Sequence, residues 1–184
     1  MPFSPPQAAA TLRDIARTER ASATAFLYRV AAPHLVLWGL IWIFGYGGSY
    51  LRPEWAVWWP ALALLGCAAS FVLSWRQRRR AAAPAGVGAR YGATVGALVL
   101  FIVALFAVMP PTGAQAAAAF PLMVALAYGL VGIWSRAPRF WITGAVVAAL
   151  TLAGYFWLPQ VFLLWMAAVA GGSLVLGGLW MRSL

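Results

Sequence analysis

Six apolar stretches, roughly 31–50, 54–75, 89–109, 115–135, 138–158 and 160–181, follow one another along this chain, and none carries Asp, Glu, Lys or Arg in its central portion. Each is close to the ~20 apolar residues an α-helix needs to cross the hydrocarbon core of a bilayer. The runs do not alternate with period two, which argues against a β-barrel. The pattern predicts an all-α membrane protein, a six-transmembrane-helix bundle. Composition agrees: 64% of the 184 residues are hydrophobic and 9% charged, against about 25% charged in soluble domains.

Arginine sets the expected orientation. All thirteen basic residues are arginines, against Asp14, Glu19 and Glu54. Arg13, Arg17, Arg20 and Arg29 precede the first span. Arg76, Arg78, Arg79, Arg80 and Arg90 lie between the second and third, Arg136 and Arg139 between the fourth and fifth, and Arg182 after the sixth. Only Arg52 falls at the opposite end. Cytoplasmic loops carry the excess of basic residues, so both termini are expected in the cytoplasm. Alanine-rich coding with arginine and no lysine suits a GC-rich bacterium, which makes the inner (cytoplasmic) membrane the expected location.

Residues 1–28 read as a separate cytoplasmic or interfacial amphipathic segment, and 29–184 as a single transmembrane domain. The stretch "SPPQ" at 4–7 offers Ser4 as a helix cap, Pro5 at the first helical position and Gln7 where a capping box wants it. It has no early apolar core or cleavage site, so it does not read as a cleavable signal. Leu12, Ile15 and Phe26 fall near one face, and Arg13, Arg17 and Arg20 on another. Such a helix either lies at an anionic leaflet or is a solvated basic lead-in that enforces topology. Together with Arg78, Arg79 and Arg80, these arginines are the candidate lipid-headgroup contacts. No aromatic residue interleaves the arginine run, so nucleic acid is not an expected partner.

The first span carries the least ordinary pattern, "HLVLWGLIWIFGYGGSY" at 34–50. At about 100° per residue, His34, Trp38, Ile41, Trp42, Gly45 and Ser49 fall within roughly a third of the helix circumference, with Val36, Leu40, Ile43 and Gly47 opposite. The first side is expected to face the bundle interior and the second to face lipid. His34, Trp38, Trp42, Ser49, Tyr128 and Tyr155 are therefore the candidate solute-lining residues. The competing reading is structural: His34 sits near a helix end, and the indoles serve packing. Trp55, Trp58, Trp59, Trp75, Trp134, Trp141 and Trp180 read as interfacial belts. Small residues at four-residue spacing, Gly92 with Gly96 and Ser173 with Gly177, are expected to let helices approach closely and are the candidate homo-oligomer contacts.

Much chemistry is disfavoured. Proton-coupled pumps use ionisable groups inside the membrane, retinal attachment requires a lysine, and hydrolytic sites require carboxylate pairs, a Ser/His arrangement or a metal cluster. His34 and Cys67 are the only imidazole and thiol, so neither a metal nor another cofactor is expected, nor is enzymatic activity. The segment "LWGLIWIFGY…RPEWAVWWPALALLG" is echoed by "AYGLVGIW…APRFWITGAVVAALTLAG", which reads either as a 3+3 inverted repeat or as a chance echo of low-complexity sequence. The last hairpin, "LAGYFWLPQVFLLWMAAVAGGSLVLGGLW", resembles the HdeD-type small stress proteins of bacterial inner membranes, which are six-helix proteins. That likeness covers about two helices and no functional motif, so no residue role follows from it. Two functions fit these features. One is an uncoupled conduit or binding protein for a small solute, and the other a non-conducting interaction, regulatory or stress-response protein that engages a partner or anionic lipid.

Overall fold

The computed structural model describes residues 5–80 and 87–183, and every regular element in them is helical. Ser4, the expected cap, lies outside the described residues, as do the side chains of Arg20, Arg78 and Arg80 and the surroundings of Gly92. The helices are α1 (Pro5–Leu51), a 3-10 turn (Pro53–Trp58), α2 (Trp59–Arg80), α3 (Val87–Val108), α4 (Gly113–Trp134) and α5 (Pro138–Trp157). A 3-10 turn at Pro159–Val161, α6 (Phe162–Trp165), a π-helical segment (Met166–Gly171) and α7 (Gly172–Arg182) complete the final span. Among the described residues, five helical stretches are long and apolar enough to cross a membrane: Thr11–Leu51, Pro53–Gln77, Gly113–Trp134, Pro138–Trp157 and Pro159–Arg182. A shorter apolar stretch, Gly96–Val108, forms the later part of α3.

The amphipathic segment and the first span are one helix of 47 residues, about 70 Å long at 1.5 Å per residue. From Ala21 to Ala32 the chain offers no Gly or Pro to end a helix. Pro33 lies inside α1; it lacks the N–H that would reach the Arg29 carbonyl. The helix carries on through it because Tyr28, Ala32 and Leu35 on either side are buried in the bundle.

The bundle closes where α1 meets the final span. A Cβ at Gly39 would stand 2.8 Å from the Gly171 carbonyl oxygen, and one at Gly178 2.8 Å from the Ala32 carbonyl oxygen. The backbones pass at distances that only glycine permits. Ile43 packs on Gly171, and Val36 on Gly178. This corrects the expected orientation of α1: Val36, Ile43 and Gly47 face the final span rather than lipid, and Leu40 is the exposed member of that set. A second hairpin, α4 with α5, is equally close, since a Cβ at Gly144 would meet the Ala125 carbonyl oxygen at 2.6 Å.

Local chemistry sets the ends. Thr112 and Gln115 form a reciprocal capping box at the start of α4. At its other end the Arg136 N–H reaches the Ile133 carbonyl and the Ala137 N–H the Gly132 carbonyl, a Schellman closure. Arg136 takes φ 50 there, a left-handed conformation that favours glycine.

α2 and α3 are peripheral. Only 6% of the α2 apolar window is buried, against 33% for that of α5, so the two halves of the sequence echo do not pack alike. α3 meets α4 through Phe106 and Phe120, whose rings lie 5.8 Å apart, and Ile102 of α3 is buried. Gly177 is enclosed by Thr143 and Leu35, whereas a Cβ at Gly96 would meet nothing. Gly177 is thus taken up within the chain, and Gly96 is open to the surroundings. Ser173 turns its hydroxyl back to the Ala170 carbonyl.

Gly39→Ala should therefore cost about 1–3 kcal/mol by overpacking, while Gly96→Ala should be neutral or stabilising by up to about 1 kcal/mol. Reversible unfolding in mixed micelles measures both.

Candidate functional site

The stripe at 34–50 faces α2 along most of its length. Gln77 near the end of α2 hydrogen-bonds the half-buried His34 side chain and donates from Nε2 to the Val30 carbonyl at 3.0 Å. One turn on, the Trp38 indole N–H donates to Ser70 Oγ at 3.2 Å, and its ring, with Ile41, covers Gly66. Further along, Trp59 lies against Gly45 and donates its indole N–H to Ser49 Oγ at 3.2 Å. His34, Trp38 and Ser49 each have a hydrogen-bond partner on α2, as polar groups withdrawn from water require.

Trp42 and Ser49 belong to one buried cluster, at 4% and 5% exposure. Its centre is Tyr46, whose ring lies 6.2 Å from Trp42, nearly edge-on, and 4.7 Å from Trp59. The Tyr46 hydroxyl donates to the Ala117 carbonyl of α4 at 2.8 Å, so the cluster fastens α1, α2 and α4 together. Tyr128 and Tyr155 sit elsewhere. Tyr128 lies 5.8 Å from Phe140, which in turn lies 5.4 Å from Tyr28. Tyr155 meets Phe162 at 5.7 Å, near the point where Trp165 covers Gly154 and donates to the Leu150 carbonyl at 2.7 Å. The six candidate residues are thus distributed over separate aromatic groups.

Two surface concavities lie away from these residues. A groove of about 370 Å³ opens on the outer surface between α1 and the start of α2, and a shallow depression follows Thr11, Asp14, Ile15, Thr18 and Glu19 along α1. Neither is lined by His34, Trp38, Trp42, Ser49, Tyr128 or Tyr155.

The arginine-marked end is built differently. Arg139 places its guanidinium 4.7 Å from the Trp180 ring and 5.6 Å from the Tyr28 ring and donates to the Trp180 carbonyl, while its backbone N–H donates to the Tyr28 hydroxyl oxygen at 3.1 Å. It joins α1, α5 and α7 by cation–π contacts. Arg79 covers the Trp75 ring at 3.9 Å. Arg13 and Arg17 are exposed, the former returning its Nε–H to the Ala9 carbonyl at 3.1 Å.

Sequence reasoning missed Tyr28, Tyr46, Phe140 and the inward turn of Trp59. Tyr46 repeats the four-residue step Trp38–Trp42, which is the signal that could have found it. Trp55, Trp58, Trp75, Trp134, Trp141 and Trp180 are exposed, as belt residues would be. Comparison with known protein families, curated proteins and solved structures gives no match for this chain.

Trp42→Ala should cost about 3–5 kcal/mol as a packed core aromatic. Tyr46→Phe, which loses one hydrogen bond and keeps the ring, should cost about 0.5–1.5 kcal/mol. Equal losses for the two variants in an unfolding titration would contradict the packing described.

Proposed function

We propose that this chain is a six-span protein of a bacterial cytoplasmic membrane, with both ends in the cytoplasm, that acts by interaction rather than conduction. The observation that carries the reading is α1. It is held in the bundle from Tyr28 onward and extends beyond it as a helix whose described residues between Gln7 and Ala23 are all exposed. The 23 residues from Pro5 to Leu27 reach about 35 Å. Along them Leu12 and Ile15 are 66% and 49% exposed, with exposed Arg13 and Arg17 on the neighbouring side. On its other side Ile15 is bordered by Asp14 and Glu19, so the strip has a basic and an acidic edge and complements a partner strip edged by the opposite charges. Arg76 and Arg79, exposed near the end of α2, carry further basic charge.

The placement of the aromatic residues supports the same reading. Trp38 and Ser49 are hydrogen-bonded to α2 and Trp42 is buried against Tyr46, so these side chains are engaged in packing. The bundle on this view is an anchor that holds α1 at a set height above the membrane.

A photo-crosslinking residue at position 12 or 15, introduced in cells, should give protein adducts that are lost in Arg13→Glu/Arg17→Glu, and the same residue at position 21 should not. Purified protein in liposomes should pass small neutral and cationic solutes no faster than empty vesicles. Solute flux that falls in Trp42→Ala would overturn the proposal in favour of a conduit.

A further inference from the structure

The groove between α1 and the start of α2 lies at the opposite end of α1 from Arg13 and Arg17. Gly45 and Gly48 form its floor, and Trp55, Trp58, Ala61 and Leu65 are among its walls. Both glycines are needed for its shape, because a Cβ at Gly45 would stand 2.7 Å from the Trp59 ring and one at Gly48 2.8 Å from the Trp55 ring. Its volume of about 370 Å³ falls in the range of about 300–1,000 Å³ that small-molecule sites occupy. It opens sideways, since Phe44, Trp58 and Leu65 on its edges are all exposed. The helices that form it are long and apolar enough to cross a membrane, so its mouth meets hydrocarbon.

A charged pair follows next to the groove, in the turn that joins its lining residues Gly48 and Trp55. The Arg52 N–H donates to the Gly48 carbonyl at 2.9 Å and the Arg52 carbonyl accepts from the Trp55 N–H at 2.9 Å, which sets Arg52 between two groove residues. Its guanidinium lies 3.6 Å from the Glu54 carboxylate, and both side chains are about two-thirds exposed, at 66% and 65%. An exposed pair of this kind contributes little by itself, so its two charges are free to turn to other partners. Arg52 is also the one arginine outside the basic end of the chain.

The geometry points to a binding site for a zwitterionic phospholipid of the outer leaflet, one acyl chain lying in the groove, the phosphate on Arg52 and the primary ammonium on Glu54. The apolar walls select a hydrocarbon tail, and the exposed indoles of Trp55 and Trp58 sit where aromatic side chains favour the headgroup boundary. Adjacent charges of opposite sign select the headgroup: a purely anionic one would bring its charge against Glu54. The inference rests on the membrane orientation proposed above, and not on the partner proposed for the other end of α1.

The test is lipid retention by the full-length protein, read by native mass spectrometry after exchange into equal amounts of phosphatidylethanolamine and phosphatidylglycerol. The parent should retain phosphatidylethanolamine about fivefold better, the scale of one exposed charge contact. Ala61→Trp fills the groove and should abolish retention, whereas Leu100→Trp, which places the same indole on the exposed face of α3, should leave it unchanged. Glu54→Gln keeps the groove and should erase the preference while retaining lipid. Retention in Ala61→Trp equal to that in Leu100→Trp, no preference in the parent, or an unchanged preference in Glu54→Gln would each overturn the assignment.

Discussion

The close passage of α1 over the final span is the contact on which the rest of this structure depends. Two backbones meet at Gly39 with Gly171 and again at Ala32 with Gly178, seven residues apart on each helix. In a bilayer no hydrophobic force distinguishes a helix face from a lipid tail, so association rests on dispersion, which falls off steeply with distance. Glycines that remove the side-chain layer convert two adjacent helices into one packed unit. The π-helical segment Met166–Gly171 ends at this contact, and its buried Met166, Ala167 and Ala170 extend the packed surface in the core. A π turn changes the angular register of the helix beyond it, and here it precedes Gly172–Arg182, which carries the second contact at Gly178.

With one face of α1 committed to the final span, the other is left for α2 and α4, and this is where the indoles and hydroxyls are used. Trp38 with Ser70, Trp59 with Ser49 and Tyr46 with the Ala117 carbonyl are each a donor meeting an acceptor on another helix or the adjoining turn. Their large rings fill the wider spacing that α2 keeps from α1. The aromatic stripe is on this account the complement of the glycine contact: small residues where α1 meets a helix closely, large amphipathic ones where it does not. The surfaces proposed to act lie at the ends and on the exterior of the bundle, where the uncovered apolar strip of α1 and the groove near Arg52 are found.

The helix ends were legible because Pro and Arg punctuate them. Leu51 precedes Arg52 and Pro53, Trp134 precedes the "SRAP" turn, and Trp157 precedes Leu158 and Pro159, all within a residue or two of where the apolar runs stop. The unbroken course of α1 was not legible, because an alanine-rich stretch without Gly or Pro suits a helix whether or not it joins the next. The neighbours of α1 were misread for a definite reason. A helical projection treats Gly47 and Ile43 as apolar and hence lipid-facing, but glycine among aliphatic residues marks a close helix contact as readily as it marks nothing. Trp59 shares its composition with the belt residues Trp55 and Trp58, and only Ser49, ten residues away, gives it a reason to turn inward. Arg136 was not legible either: a left-handed position that favours glycine is held there by an arginine.

The central claim is that α1 is one continuous helix, fixed in the bundle and extending from it. Spin labels at exposed positions 15 and 40 of the Cys67→Ser protein, read by pulsed dipolar spectroscopy in nanodiscs, test it most directly. An unbroken helix sets the two backbone positions about 38 Å apart, on the same side of the helix, and predicts a narrow distribution near that distance. A broad distribution, or one centred well below it because the chain folds over at Pro33 onto the membrane surface, would contradict the account.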